Sequence, residues 1–181
     1  PMHPSIFFPY FPNFVSSAED FIESYNHWSG AIVLTSDTSS GSLINNGPLW
    51  KYKLNEFDNN HLLDGLTQLV KSYYLAGAEE IMVSASPTMH WKRNENGDIE
   101  EFLSKILAIK NQPYRLLLGS AHQMGTARIN PNPEHGVIDL NGKVHGLENV
   151  YIVDASTFPR CSGVNPMISI QSMSHFLMSK I

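Results

Sequence analysis

The chain has 181 residues, of which 42% are hydrophobic, and a formal net charge of −5. This length suffices for one domain or for pieces of two, and the acidic balance with scattered lysines and arginines predicts that no nucleic acid is bound. None of the eight histidines has the spacing of metal ligands, so we expect no metal site. The single cysteine, Cys161, excludes an internal disulfide, and this fits a reducing, intracellular compartment.

The first third of the chain combines an irregular start with short strands. Residues 1–18 are uncharged and rich in proline and aromatic side chains, so they are predicted to be extended and either to cross a core or to line an apolar substrate channel. A short helix is expected at residues 17–27. Three strands are then predicted to form an antiparallel meander. They cover residues 31–35, 42–44 and 49–54, with an Asn-Gly turn at 46–47.

Helical periodicity dominates the middle of the chain. Asp58 is predicted to cap a helix over residues 59–76, and Gly77 lies where a C-terminal cap is expected. Asp98 is predicted to cap a second helix that ends near Lys110. Strands are expected at residues 81–83 and 114–118, and the polar stretch 88–96 is expected to be irregular.

The C-terminal third holds the candidate functional residues. Residues 149–153 read as a buried parallel strand, which would place Asp154 at the strand end where α/β sheets bind ligands. A helix is predicted over residues 166–179, and Asn165 before it is either an N-cap or a ligand-facing residue at the positive end of the helix dipole. His122, on a Gly-flanked loop, is either structural or catalytic. No segment is long and apolar enough to span a membrane.

Five short motifs follow one another in this part of the chain. They are His122-x-x-Gly-Thr, Gly-Val-Ile-Asp at 136–139, Val-His-Gly-Leu at 144–147, Val-Asp-Ala-Ser at 153–156 and Asn-Pro at 165–166. In this order they closely resemble the C-terminal end of the glucose-methanol-choline (GMC) family of FAD-dependent oxidoreductases. The sequences around His122 and Asn165 are most similar to the long-chain fatty alcohol oxidase branch.

The resemblance implies an α+β or α/β fold in two parts. Residues 1–118 would form part of a substrate-binding domain, with an antiparallel sheet and helices. Residues 119–181 would supply the C-terminal strand and helix of the FAD-binding domain. The implied activity is oxidation of primary, long-chain fatty alcohols to aldehydes by hydride transfer to FAD, with O2 reduced to H2O2.

The resemblance also implies roles for individual residues. His122 would be the general base, a role that suits histidine because it exchanges protons near neutral pH. Asn165 would donate a hydrogen bond to the substrate oxygen. The sequence departs from the family pattern at Ala127 and at residues 129–130, beside Arg128. The residues expected to contact FAD are Asp154, Ala155, Asn165, Pro166 and Met167.

One part of the family pattern is missing from the sequence. No Gly-x-Gly-x-x-Gly occurs, so the ADP half of FAD has no expected site in this chain. Because the chain also begins with Pro1, we expect a fragment that needs an N-terminal FAD-binding half. The alternative is a non-catalytic remnant or one half of a split protein, acting as a structural or interaction piece without FAD. A serine hydrolase is disfavoured because no Gly-x-Ser-x-Gly is present.

The last three residues, Ser179, Lys180 and Ile181, differ from the Ser-Lys-Leu peroxisomal address only by isoleucine for leucine. They are either such an address or the end of the last helix. Membrane association of a longer protein is left open.

Overall fold

The computed structural model describes residues 23–44, 49–110, 112 and 114–181, and the chain divides into two compact units. The second unit contains Leu34–Asp37 and Gly119–Ile181, and the first contains Thr38–Leu118 together with the residues before Leu34. The main division thus falls between Leu118 and Gly119. The assignment of the two parts to a substrate-binding and an FAD-binding domain stays a prediction. Residues 1–18 and the turn at 46–47 lie outside the described residues.

The first unit is α+β, as predicted. Its described residues form two antiparallel hairpins and two α-helices. In chain order they are β1 (Ser42–Ile44), β2 (Leu49–Lys51), α1 (Glu56–Leu75), β3 (Glu80–Val83), β4 (Met89–Lys92) and α2 (Ile99–Leu107). Ser42 pairs with Lys51 across β1 and β2, and Ile81 pairs with Trp91 across β3 and β4.

The core of the first unit lies where α1 and α2 pack together beside the β3–β4 hairpin. Every one of these elements contributes buried apolar side chains, and their removal from water is the main favourable contribution to the folding free energy of this unit. The core residues include Leu63, Val70, Ile81, Val83, Trp91, Phe102 and Ile106.

Helix α1 begins differently from the prediction. Asn55 is its N-cap and accepts a hydrogen bond from the Asp58 N–H at 2.8 Å. Asp58 instead lies inside the first turn, 1% exposed, and its carboxylate accepts four hydrogen bonds from the backbone N–H groups and hydroxyls of Thr38 and Ser39. The prediction that Asp58 lies near the helix start is therefore confirmed, but the prediction that it caps the helix was wrong.

The predicted C-terminal cap of α1 is confirmed. Gly77 has a φ of +89°, and its N–H donates to the Tyr74 carbonyl at 3.1 Å, while the Ala78 N–H donates to the Tyr73 carbonyl at 3.0 Å. These two bonds form a Schellman motif. The prediction that Asp98 caps α2 is also confirmed, because its side chain accepts the Glu100 N–H at 3.0 Å.

Three further predictions for the residues before Gly119 were wrong. Residues 31–35 form no strand, so the predicted meander is a single hairpin. Residues 114–118 contribute one isolated bridge, Leu116 to Ala85, instead of a strand. The stretch 88–96 is not irregular, because it contains β4. Of the predicted helix at 17–27, the described part ends in a 3₁₀ turn at Tyr25–His27.

The second unit contains one α-helix, α3 (Met167–Met178), and a 3₁₀ turn at Ala155–Thr157 in the described residues. The predicted strand at 149–153 was wrong. Asn149 has a φ of +57°, residues 149–151 are exposed, and Tyr151 makes only an isolated antiparallel bridge to Lys143. Asp154 therefore does not follow a parallel strand.

Among the helices that the structure describes, none has the length and apolar character needed to cross a membrane.

Candidate functional site

His122 lies half-buried on the loop that opens the second unit. The end of this loop is fixed by two backbone hydrogen bonds: the Ala127 N–H donates to the Ser156 carbonyl at 3.0 Å, and the Ile129 N–H donates to the Thr157 carbonyl at 3.0 Å. The His122 ring itself has no hydrogen-bond partner among the described residues. Its nitrogens are therefore available to a ligand.

Gly125 allows this loop to turn. Its φ is +88°, a conformation that strains residues with a side chain, and an added Cβ would lie 3.5 Å from the Phe158 carbonyl oxygen. That distance is an ordinary van der Waals contact, so the positive φ, and not a lack of space, is the reason for glycine at this position. The Gly-Thr pair after His122 thus has a structural reason that is independent of catalysis.

Asp154 organises the 3₁₀ turn to which the His122 loop is attached. Its Oδ1 accepts the Ser156 N–H at 2.8 Å and the Ser156 hydroxyl at 2.5 Å, and its carbonyl accepts the Thr157 hydroxyl at 2.8 Å. The same turn therefore holds Asp154 and anchors the loop that carries His122. The structure brings these two predicted segments together through backbone hydrogen bonds.

Two other motif segments are structural. The Asn141 N–H donates to Asp139 at 2.8 Å, and this bond, with a second from the Lys143 N–H, holds the Asp139 pKa below its ordinary value despite burial. At Gly136, an added Cβ would lie 2.6 Å from the Arg128 carbonyl oxygen. These residues build the loops beside the site and are not among its reactive groups.

Asn165 precedes α3, but it does not cap the helix. The N-cap is Pro166, which is buried, and no side chain of the described residues caps the first turn. The capping interpretation of Asn165 was therefore wrong, and the ligand-facing interpretation stays a prediction. The Asn165 side chain is exposed and has no hydrogen-bond partner among the described residues.

Helix α3 is joined to the segment before Asp154, because the Ser174 hydroxyl donates to the Val153 carbonyl. The second unit thus contains His122, Asp154, Ala155 and the Asn165 turn on connected segments. No hydrogen bond joins His122 to Asn165 in the part of the chain that the structure describes.

The start of α3 has features that are compatible with a flavin ring. Its first N–H groups lack a side-chain cap, and helix N-termini attract electron-rich groups. Val164, Met167 and Ile168 around it are apolar and 64%, 64% and 66% exposed. Uncapped donors beside exposed apolar side chains fit the polar edge and flat face of an isoalloxazine ring.

The Asp154 carboxylate suits one part of FAD, the ribityl chain, better than another, the phosphates. Oδ1 is used within the turn, and Oδ2 has no partner among the described residues. A carboxylate oxygen accepts hydrogen bonds, so it suits a ribityl hydroxyl better than a phosphate of the same charge sign.

A family model for the GMC oxidoreductases matches residues 29–174. The chain belongs to the GMC oxidoreductase family. The matched range includes every predicted site residue, from His122 to Met167.

The sequences of curated relatives align with most of the chain. Long-chain-alcohol oxidase FAO3 of Arabidopsis thaliana is 31% identical over 163 residues, which cover 87% of this chain and 22% of that protein. Long-chain-alcohol oxidase FAO4A of the same plant is 30% identical over 182 residues, covering 96% of this chain and 24% of that protein. A 54-residue stretch is 46% identical to 6'''-hydroxyparomomycin C oxidase of Streptomyces lividus. The chain thus spans less than a quarter of the length of the long-chain-alcohol oxidases.

Sequence reasoning missed the residues that shape the turn before Asn165. Ser36, Asp37 and Cys161 interact with one another although about 125 residues separate Ser36 from Cys161. No local pattern in the sequence pairs Ser36 or Asp37 with Cys161.

Proposed function

We propose that this chain is the C-terminal part of an FAD-dependent oxidase that converts primary, long-chain alcohols to aldehydes. The supporting observation is the similarity to long-chain-alcohol oxidase FAO3 over 87% of the chain. The overall reaction takes an alcohol and O2 to an aldehyde and H2O2.

His122 is the proposed base. One of its ring nitrogens takes the hydroxyl proton of the alcohol, which leaves negative charge developing on the substrate oxygen. The free ring of His122 and the attachment of its loop to the Ala155–Thr157 turn support this role, because a base must be both accessible and held in place.

Asn165 is the proposed partner of the substrate oxygen. Its exposed amide is free to donate a hydrogen bond as negative charge develops on that oxygen. Pro166 and Met167 would hold the pyrimidine side of the flavin at the start of α3, and Asp154 and Ala155 would lie beside its ribityl chain. The chemistry that FAD supplies when bound is acceptance of the hydride from the alcohol carbon.

The test uses the longest natural polypeptide that contains these 181 residues, called the full-length protein below. Anaerobic mixing with a series of primary alcohols is expected to bleach the flavin, and catalytic efficiency is expected to rise with chain length. Each buried methylene contributes about 0.8 kcal/mol, so the rise should continue over several carbons. A flat profile from butanol to dodecanol would contradict the long-chain substrate class, and no bleaching by any alcohol would contradict the oxidase.

A second candidate is a structural or interaction piece that acts without flavin. The absence of Gly-x-Gly-x-x-Gly from the sequence favours it. The two candidates differ in the flavin content of the full-length protein. One equivalent of FAD supports the oxidase, and a flavin-free, stably folded protein supports the interaction piece.

A peroxisomal location through Ser179, Lys180 and Ile181 is also proposed, since peroxisomes confine H2O2. These residues are exposed, although the Lys180 ammonium lies 4.3 Å from the Phe176 ring centre. A fluorescent reporter that carries the last dozen residues should form puncta, and a reporter that lacks the final three should not. The same diffuse signal from both would reject the address.

A further inference from the structure

The segment Leu34–Asp37 belongs to the second unit, although residues of the first unit flank it in the sequence. Its contacts are with the turn that precedes Asn165. The Ser36 hydroxyl donates to the Cys161 carbonyl at 3.1 Å, and the Cys161 thiol donates to Asp37 Oδ1 at 3.0 Å. Backbone and side chain of Cys161 are thus both held by the segment.

Gly163 brings the segment still closer to the turn. Its φ is +68°, and an added Cβ would lie 2.8 Å from Ser36 Cβ and 3.2 Å from the Ser36 nitrogen. Real Cβ atoms essentially never come within 3.0 Å of another atom, so Ser36 packs directly on Gly163. Two residues later the chain reaches Asn165.

The Asn165 amide depends on this support for its position. The side chain is exposed and has no hydrogen-bond partner among the described residues, so the backbone on either side determines where its Cα–Cβ bond points. Buried Pro166 holds the following side, and the contacts at Cys161 and Gly163 hold the preceding side. We propose that Ser36, Asp37 and Cys161 are positioning residues that aim the Asn165 amide at the substrate oxygen.

This inference rests on the proposed function, in which Asn165 stabilises charge on that oxygen. Small errors in the placement of such a donor are costly, because a misplacement of about 1 Å can reduce the rate by roughly a hundredfold. Burial, followed by the interaction with Asp37, raises the Cys161 pKa above its ordinary value. The thiol therefore keeps its proton near neutral pH and remains a donor to Asp37.

The kinetic test compares Cys161→Ala with Cys161→Ser in the full-length protein. Alanine removes the donor to Asp37, and serine keeps an O–H in its place. We expect Cys161→Ala to lower the limiting rate of flavin reduction about tenfold to a hundredfold. The alcohol dissociation constant and the FAD content should stay unchanged, and Cys161→Ser should restore most of the rate.

A double mutant separates positioning from a general loss of structure. Asn165→Ala alone should lower the limiting rate by about tenfold to a few hundredfold. If Cys161 acts through Asn165, adding Cys161→Ala to that variant should cause little further loss. A wild-type rate in Cys161→Ala, or multiplying losses in the double mutant, would overturn the inference while the oxidase stands. If alcohols do not reduce the wild-type flavin, the proposed function and this inference both fall.

A second measurement does not depend on turnover. Alkylation of Cys161 by iodoacetamide, followed by peptide mass spectrometry, should become at least about threefold faster in Asp37→Ala, because the thiol loses its carboxylate partner. Asp64→Ala, at an exposed aspartate of α1, should leave the alkylation rate unchanged. Equal rates in wild type and Asp37→Ala would overturn the contact on which the inference is built.

Discussion

His122 is the single residue on which the proposed chemistry most depends. Because a positioned base accelerates proton removal by about 10²-fold to 10⁴-fold, His122→Ala should lower the limiting rate of flavin reduction in the full-length protein by roughly a hundredfold or more. Rapid-mixing absorbance measures this rate directly. The matched control is His135→Ala, which removes an exposed histidine of the same unit. Unchanged flavin reduction in His122→Ala would remove the mechanism.

At the level of residues, sequence reasoning finds what is encoded locally. The Gly77 cap is predictable because the residue that ends a helix often adopts the left-handed backbone conformation. Glycine is favoured in that conformation whatever packs nearby. Asp58 is placed correctly but interpreted wrongly, since its real partners, Thr38 and Ser39, come from a loop about twenty residues earlier. Long-range partners leave no local pattern, and the pairing of Ser36 with Cys161 is missed for the same reason.

Among the elements, the start of α1 depends on the buried Asp58 carboxylate. Asp58→Asn replaces an acceptor oxygen with an NH2 group that faces the donors of Thr38 or Ser39, so we expect a loss of about 1–3 kcal/mol in the free energy of unfolding at pH 7. Urea unfolding followed by circular dichroism gives the value. Asp64→Asn, an exposed change in the same helix, should cost little.

The loss from Asp58→Asn should depend on pH. Burial opposes ionisation of Asp58, but the hydrogen bonds from Ser39 and Thr38 outweigh burial and hold its pKa below the ordinary value of 3.8. A carboxyl whose pKa is lowered by folding stabilises the folded state at every pH above its ordinary pKa. This stabilisation is lost as the pH falls through the pKa that the group has in the folded state. The difference between wild type and Asp58→Asn should therefore be constant from neutral pH down to about 4 and shrink below that. A difference that grows on acidification would contradict the assignment.

The C-terminal end of α1 offers a test of backbone conformation alone. Gly77→Ala should lower the free energy of unfolding by about 1–2 kcal/mol, because a left-handed alanine is strained. Nothing lies within 4 Å of the added Cβ, so no clash contributes. Gly77→Asn should cost less, since asparagine tolerates this conformation. Equal thermal stability of wild type and Gly77→Ala would contradict the predicted strain at this position.

The strands were harder to predict than the helices. Residues 31–35, 114–118 and 149–153 are short apolar runs, and such runs become strands only where a partner strand is available to hydrogen-bond them. Strand β4 was the opposite error, because its polar residues led to the prediction of an irregular stretch. In the structure its side chains alternate, with Trp91 buried in the core and His90 exposed to solvent. The helical periodicity of α1 and α2 and the caps at Gly77 and Asp98 required no distant partner, so those helices were predicted.

At the scale of the whole molecule, the purified 181-residue chain is expected to be colourless and inactive on alcohols. The start of α3 has features suited to the flavin ring, but the sequence offers no Gly-x-Gly-x-x-Gly for the pyrophosphate. The chain should be mixed with excess FAD and passed through a gel-filtration column. One equivalent of flavin absorbance eluting with the protein would contradict the expectation, and the full-length protein run in parallel is the positive control.

The place of Leu34–Asp37 within the second unit also affects how the protein is made. Synthesis proceeds from the N-terminus, so Ser36 leaves the ribosome about 125 residues before its partner Cys161. At about 5–20 residues per second, the nascent segment waits roughly 6–25 seconds for the turn that it will hold. A gene fragment that starts at Gly119 would never supply the segment. Co-expression of a peptide that contains Leu34–Asp37 would be needed to restore the contacts at Cys161 and Gly163.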